Sequence, residues 1–290
     1  MISHVSANIT AFVDKPIDEI IGHHVNSLLC PDAVHSLRNR LALLRGSDAI
    51  ERLFRCALFG NQHLFDIALH MGDARVIVEA EPSTEQPLGD CTGTVRGMIG
   101  RLDQARDMVG FLNEGARQVR ALTGYDRVTI TRSSTKGADE VVAQSARSGS
   151  ASLRGRDFLS GDIPSQKRKL GGRSRLRVIT DIEAQPVSIV PAFDEQSMPL
   201  DLSLSVLRSP SPIDIEDLRN TGVRASMSIA IIIDGALWGL VDCHHASARC
   251  PGFERRSIAE LFAQMFAMRL EVRELKEMLN AERRARAVSD

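Results

Sequence analysis

The most reactive side chains of this sequence stand together near its C-terminal end, where Cys243, His244 and His245 are adjacent. Thiolate and imidazole groups are typical zinc ligands. The apolar residues before them predict a strand, in which neighbouring side chains point to opposite faces. Cys243 and His245 would then share one face, and the sequence offers no second ligand pair. We therefore predict no metal site, and we expect His244 to face a cleft or to be a hydrogen-bonded core residue.

A basic cluster and two serines indicate instead a site for a small anion. Most of the basic side chains are expected on the solvated surface, but a guanidinium turned inward would bind a carboxylate or phosphate bidentately. Ser226 and Ser228 are two apart in a predicted strand, so both hydroxyls would face the same ligand. The basic residues are Lys167, Arg168, Lys169, Arg173, Arg175 and Arg177, followed by Arg208, Arg219 and Arg224.

Composition excludes several classes of protein. The 290 residues, 43% hydrophobic and 25% charged, predict a soluble protein of two domains. A net charge of -1 and a single Trp and Tyr argue against a protein that binds nucleic acid or coats an acidic membrane. The sequence carries no signal peptide, no membrane-spanning run and no catalytic motif, and its five cysteines are scattered. We expect a cytoplasmic protein that is not an enzyme.

Residues 1–82 predict a small α+β domain. Apolar residues recur at helical spacing from Val34 to Leu44, and Gly46 can end that helix. Three strand-like runs follow, at 53–59, 63–70 and 76–79. Residues 83–96, rich in Pro, Gly and polar residues at their start, are interpreted as a linker.

Residues 97–268 predict a second domain, and residues 269–290 a C-terminal helix. Strands are expected on both sides of Asp234-Gly235, a pair that favours a hairpin turn. One heptad seam runs from Met98 to Val119 in a single long helix, and a second runs from Leu261 to Leu279. The first seam predicts either a dimer contact or packing on its own domain. Together the two seams, 98–119 and 261–279, predict a parallel homodimer.

Six segments, in this order and spacing, resemble the bilin-binding GAF domain of bacterial phytochromes. They are GYDRVTI (124–130), DIPSQKR (162–168), RLRVITDI (175–182), PLDLSLSVLRSPSPI (199–213), LRNTGVRASMSI (218–229) and LWGLVDCHH (237–245). Residues 1–82, with VSANI near the start and VIVEAEPS at 76–83, are similar to the PAS domain that precedes it. The resemblance implies an α+β fold in which a truncated PAS domain is followed by a GAF domain and a long helix.

The resemblance also implies a ligand, a linear tetrapyrrole that is biliverdin in the bacterial members. Light isomerises it, and the change passes through a dimeric helical spine to an output module such as a histidine kinase. The site residues that the resemblance implies are Asp162, Ile163, Pro164, Arg177, Arg208, Asp214, Ser226, Ser228 and His244.

Each implied residue has a counterpart role in the family. Asp162, in the D-I-P motif, matches the aspartate that contacts the pyrrole nitrogens. Arg177 and Arg208 match arginines that bind one propionate, and the two serines match hydroxyls that hold the other. His244 matches the histidine near the outer pyrrole carbonyl.

Attachment of the ligand is where the sequence departs most from the family. The chain begins inside the PAS core, so the upstream attachment Cys and the knot that its segment forms with the GAF loop are expected to be missing. The alternative attachment site follows an S-P-x-H motif, but residues 211–215 contain neither His nor Cys. Cys243 matches a residue that the family does not use for attachment. In the family a PHY domain follows and seals the cleft, and we expect none within these 290 residues.

The pocket itself is also expected to differ. Asp214 replaces the pocket His, and a buried carboxylate there would be unpaired and have a raised pKa unless the bilin is cationic. Thr131 and Gly171 replace two tyrosines, which predicts a looser pocket.

These observations predict a phytochrome-like sensory module that binds biliverdin or a related tetrapyrrole weakly and without a covalent bond, or that has lost it. One alternative is a light-insensitive, dimerising regulatory domain on the same scaffold. Another is a GAF sensor of a different small anion, which would use the basic residues 167–177.

Overall fold

The computed structural model describes residues 1–46, 48–73, 75–83, 89–133, 138–149, 157–159 and 174–289. Its helices are α1 (Pro31–Leu43), α2 (Cys91–Asp103), α3 (Met108–Thr123), α4 (Pro212–Asn220) and α5 (Phe253–Ser289). Its strands are β1 (Val5–Ser6), β2 (Ile50–Cys56), β3 (Phe65–Gly72), β4 (Arg75–Pro82), β5 (Arg127–Arg132), β6 (Ala138–Ala146), β7 (Asp157–Leu159), β8 (Leu176–Ile179), β9 (Ile189–Val190), β10 (Ala225–Ile233) and β11 (Ala236–His245). Short 3-10 helices span Ala7–Ala11, Ile17–Glu19 and Val25–Ser27.

The chain forms two compact units that are discontinuous in sequence. The first unit is Met1–Pro87 with Glu183–Pro210, and the second is Leu88–Ile182 with Ser211–Asp290. Residues 183–210, which the sequence places in the second domain, therefore belong to the first unit. The segment read as a linker also contains the start of a helix, since α2 begins at Cys91 with Asp90 as its N-cap.

The first unit packs α1 on the antiparallel sheet of β2, β3 and β4. The predicted helix and three strands are confirmed, with bounds that differ by a few residues. Pro31 begins α1, where its missing N–H costs no hydrogen bond. Leu37 of the helix packs in one buried cluster with Phe65 and Ile67 of β3.

The segment 183–210 is held to this unit by polar contacts. The segment also pairs with the N-terminal end of the unit, since β9 forms a short antiparallel ladder with β1. The carboxylate of Glu79 accepts hydrogen bonds from the backbone N–H groups of Val206 at 3.2 Å and Leu207 at 2.7 Å. Nε2 of the buried His70 lies 3.3 Å from the Ser205 hydroxyl and 3.5 Å from the same carboxylate. Glu79 therefore ties the end of this segment to β4.

The second unit contains, among the described residues, an antiparallel sheet in the order β7-β6-β5-β11-β10-β8. Helices α3 and α5 pack on this sheet. The rings of Phe111 and Phe266 stack between the two helices with their centroids 4.7 Å apart. A Cβ atom at Gly115 would lie 2.5 Å from the Phe266 ring, so glycine permits this close packing. The predicted hairpin is confirmed, and both turn residues, Asp234 and Gly235, have positive φ.

The prediction of one long helix from Met98 to Val119 is wrong. The chain forms α2 and α3, separated at 104–107, and the Asp107 carboxylate accepts from the Gly110 N–H to begin α3. Met98, Leu102, Ala116 and Val119 are buried within their own unit. The alternative of packing on its own domain therefore holds for this seam.

The second predicted seam lies on α5, and part of it is exposed. Phe262, Phe266 and Leu270 pack inward. A second set forms an apolar stripe with steps of seven, four and three residues, as in a coiled-coil seam, and these side chains are between 41% and 62% exposed. We call this set the α5 stripe; it consists of Leu261, Met268, Val272, Leu275 and Leu279. Within the described ranges, no helix is both long and apolar enough to cross a bilayer.

We predict that Glu79→Ala frees the end of the 183–210 segment. The backbone N–H groups of Val206 and Leu207 lose a charged acceptor, which is worth about 1.5–3 kcal/mol. Hydrogen exchange of a peptide spanning 203–208 should therefore accelerate about tenfold or more. Glu195→Ala, which removes an exposed carboxylate from the same segment, serves as the control and should leave the exchange unchanged. Equal exchange in the two variants would contradict the assigned role of Glu79.

Candidate ligand-binding site

The register of the second unit's sheet brings the candidate polar residues onto one face. Ser228 of β10 lies directly opposite Arg177 of β8 on one side and Asp242 of β11 on the other. Ser226 lies one pleat away, opposite His244. Residues opposite each other in an antiparallel pair point to the same face. Arg177, Ser228 and Asp242 thus form a row across three strands, which we call the polar row.

Cys243 points to the opposite face, together with Met227 beside it. Both side chains are fully buried. Burial, with a smaller contribution from the Asp242 carboxylate, raises the pKa of the Cys243 thiol well above its ordinary value. A thiol in this position is a poor nucleophile and is directed away from the polar row.

Asp214 and Arg177 form a buried ion pair at the edge of the polar row. Arg177 Nη2 donates to Asp214 Oδ2 at 2.6 Å, and the Asp214 side chain is only 2% exposed. The Ser211 hydroxyl and backbone N–H donate to the same carboxylate oxygen. Ser211 is the N-cap of α4 and Asp214 is its third residue, so the two form a capping box. The start of α4 therefore holds the carboxylate against Arg177.

The expectation that Asp214 is unpaired with a raised pKa is wrong. Burial alone would raise the pKa of this carboxyl. The hydrogen bond from Ser211 and the charge and hydrogen bond of Arg177 outweigh burial, and they hold the pKa below its ordinary value of 3.8. Asp214 is therefore ionised at neutral pH without any ligand charge.

A second carboxylate engages the middle of the polar row. The Ser228 hydroxyl donates to Asp242 Oδ1 at 2.6 Å. Asp242 is 8% exposed, and its backbone carbonyl accepts from the Thr129 hydroxyl at 3.5 Å. The serine hydroxyl predicted to hold a ligand anion is thus already bonded to an anion of the protein.

Two buried polar atoms beside the row have no hydrogen-bond partner within the described chain. They are Arg177 Nη1, a donor, and Asp214 Oδ1, an acceptor. Buried polar groups are almost always hydrogen-bonded in native proteins. These two atoms therefore mark the place where a ligand group or a water molecule would bond.

The structure brings together only part of the predicted site. Arg177, Asp214, Ser226, Ser228 and His244 all lie in the second unit. Arg208 lies in the first unit, where its Nη1 donates to the Ser203 carbonyl at 3.4 Å. Other predicted residues lie outside the described ranges: Asp162, Ile163, Pro164, Lys167, Arg168, Lys169, Gly171 and Arg173.

Asp242 and Ser211 were not among the sequence-predicted residues, although each has a signal in the sequence. Asp242 is two residues before His244 in a predicted strand, so alternation alone puts both on the same face. Ser211-Pro212-Ile213-Asp214 has the spacing of a capping box, which predicts a helix start and a serine–carboxylate bond.

Comparison with known proteins gives a consistent result over both units. The family model of the PAS fold matches residues 1–83, and the GAF domain model matches residues 107–274. The chain is 37% identical over 231 residues to a bacteriophytochrome of Pseudomonas aeruginosa, and 32% identical over 287 residues to cyanobacterial phytochrome B of Nostoc sp.. These alignments cover 77% and 95% of this chain but 32% and 37% of the relatives, so the chain spans about a third of their length.

Solved structures show the same likeness. The chromophore-binding domain of an unusual bacteriophytochrome from R. palustris superposes with a TM-score of 0.83 at 33% identity, over 94% of this chain and 90% of that one. The photosensory core module of Stigmatella aurantiaca phytochrome superposes with a TM-score of 0.85 at 31% identity, over 99% of this chain and 57% of that one. These likenesses confirm the predicted fold of a PAS domain followed by a GAF domain and a long helix.

We predict that Asp214→Asn lowers the free energy of unfolding of the second unit by about 3 kcal/mol at pH 7, because Arg177 loses its buried partner. The pKa of Asp214 is lower in the folded than in the unfolded state, so the stabilisation is complete above 3.8 and is lost as the pH falls through the folded value. The difference between wild type and variant should therefore shrink below pH 3.8. Urea unfolding followed by fluorescence of Trp238, the chain's single tryptophan, measures it in this unit.

The matched control is Glu216→Gln, which removes an exposed carboxylate from the same helix and should change stability little at any pH. A difference between wild type and Asp214→Asn that stays constant down to pH 2 would contradict the ionised pair.

Proposed function

Because this chain belongs to the bacteriophytochrome family as a PAS–GAF region, we propose that it is a light-sensing signalling module that binds a linear tetrapyrrole without a covalent bond. The ligand would be biliverdin or a related bilin. Its site would lie on the polar face of the second unit's sheet. The chain spans about a third of its curated relatives, so the kinase or other output to which it would signal is also part of the proposal.

The observation that carries this proposal is the polar face itself. Four of the residues that match the family's site share one face of the sheet: Arg177, Ser226, Ser228 and His244. Beside the polar row, two buried polar atoms on Arg177 and Asp214 have no hydrogen-bond partner among the residues that the structure describes. A site with a few convergent polar groups on a rigid sheet is typical of small-molecule binding.

Non-covalent binding is proposed from the placement of the cysteines. Cys243, beside His244, points away from the polar face and its thiol has a raised pKa. Residues 211–215, at the family's alternative attachment position, contain no cysteine. The pairing of Arg177 Nη2 with Asp214 also leaves only Nη1 of this guanidinium open to a ligand, so an ionised propionate would find no bidentate partner here and the residues fit a tetrapyrrole acid poorly. Weak binding of biliverdin follows.

The test is an absorbance scan from 350 to 800 nm of the protein mixed with biliverdin, before and after red light. We expect a band in the red that differs from free biliverdin, and complete separation of pigment from protein on denaturing gel filtration. Pigment that remains with the denatured chain would contradict non-covalent binding. A spectrum identical to free biliverdin at every protein concentration would contradict the proposed function.

A second candidate function is favoured by the α5 stripe. A regulatory domain that has lost its ligand would still dimerise through a coiled-coil seam, and this stripe has the required spacing and exposure. Most of the first heptad seam is buried in its own unit, with Val109 exposed, so the homodimer would form chiefly along α5. Such a protein would be a light-insensitive interaction domain on the same scaffold.

We predict that Leu275→Glu raises the dissociation constant of this dimer at least tenfold. A buried leucine contributes about 1.5–3 kcal/mol, and a charge in the seam adds a desolvation cost. Light scattering during gel filtration over a range of concentrations measures the change. Lys276→Glu, which adds the same side chain at an exposed neighbouring position outside the stripe, should leave the dimer intact. A wild-type protein that is monomeric at all concentrations would exclude this candidate.

A further inference from the structure

Two carboxylates of the protein occupy the hydrogen-bonding groups that the polar row would offer to a ligand acid. Asp214 accepts from Arg177 at 2.6 Å, and Asp242 accepts from Ser228 at 2.6 Å. Arg177 and Ser228 are directly opposite each other on neighbouring strands. The two internal carboxylates therefore stand on either side of one place on the sheet, where each is bonded to a donor that a ligand carboxylate would otherwise use.

The charge at this place disfavours an anionic ligand. The polar row and Asp214 together contain one guanidinium and two carboxylates. Both carboxylates are largely removed from solvent, at 2% and 8% exposure for Asp214 and Asp242. Repulsion between like charges is stronger where water is excluded. Among these described residues, an ionised acid would meet two negative charges and one guanidinium, of which Nη2 is already bonded to Asp214 and only Nη1 is open.

The unpartnered atoms specify what would bind instead. Arg177 Nη1 needs an acceptor, and Asp214 Oδ1 needs a donor. A primary amide supplies both, because its oxygen accepts and its N–H groups donate. A protonated acid also supplies both, whereas a carboxylate supplies acceptors alone and leaves Asp214 Oδ1 unsatisfied.

We propose that Asp214 and Asp242 are specificity-determining residues, which make this site select a linear tetrapyrrole whose side-chain acids are uncharged over the ionised dicarboxylate. This inference rests on the proposed tetrapyrrole binding and gives the physical reason for the weak binding of biliverdin proposed above. The ligand class is a tetrapyrrole amide or another form in which the acid is neutral.

The experiment compares biliverdin with its bis-amide, in which both propionate carboxylates are replaced by primary amides of the same shape. Dissociation constants come from absorbance titrations at pH 7.5. We expect wild type to bind the bis-amide at least tenfold more tightly. In Asp214→Asn and Asp242→Asn, the preference for the bis-amide should each time fall about tenfold. The reason is that each variant removes one negative charge that repels the ionised propionates of biliverdin.

The control is Glu216→Gln, which removes an exposed carboxylate from α4 and should leave the ratio unchanged. If Asp214→Asn fails to fold, which circular dichroism would show, the ratio of dissociation constants in Asp242→Asn still tests the inference. Equal ratios in wild type and Asp242→Asn, or tighter binding of biliverdin by wild type, would overturn this inference and leave the proposed function in place. Binding of neither ligand by any variant would overturn both.

Discussion

The antiparallel register of β8, β10 and β11 is the constraint on which the candidate site depends. It places Arg177, Ser228 and Asp242 in one row on one face, and it directs Met227 and Cys243 to the helices on the other. Side chains alternate with a period of two, so a slip of one residue in β10 would send both serines into the apolar core. The buried helix-facing side chains oppose such a slip, since it would expose them. The packing of the core thus fixes the chemistry of the opposite face.

The ion pair between Arg177 and Asp214 then determines which polar atoms remain unbonded on this face, within the described part of the chain. Asp214, which the resemblance to the family predicts in place of a histidine, is paired with the neighbouring arginine and not left unpaired. The capping box of α4 contributes to this choice, because the helix start supplies Ser211 as a further donor to the same oxygen. Removing either partner would leave a buried charge uncompensated, so the pair is stable as a unit. Arg177 and Ser228 of the polar row are consequently hydrogen-bonded to aspartates of the protein itself. Their residue types alone do not predict these bonds.

Prediction from sequence worked best where local pattern and tertiary packing agree. The helix and meander of the first unit and the Asp234-Gly235 hairpin follow from periodicity and turn chemistry, which are properties of short segments. The long helix predicted from Met98 was wrong because heptad spacing continues across 104–107, while Asp107 caps a new helix there. The assignment of residues 183–210 to the first unit also cannot be predicted from the pattern of a short segment. It depends on contacts such as that of Glu79 with Val206 and Leu207, between residues far apart in the chain.

The sequence by itself determined the family, the order of the domains, and which residue types lie on each face of β10 and β11, because these depend on motifs and on the two-residue period of a strand. Only the tertiary structure decided that Asp214 is ionised and paired with Arg177, and that Ser228 is bonded to Asp242. The pKa of a buried carboxyl depends on a balance between desolvation and the charges and donors around it. Those donors come from separate elements, β8 and the start of α4, whose approach is set by folding and not by their own sequences.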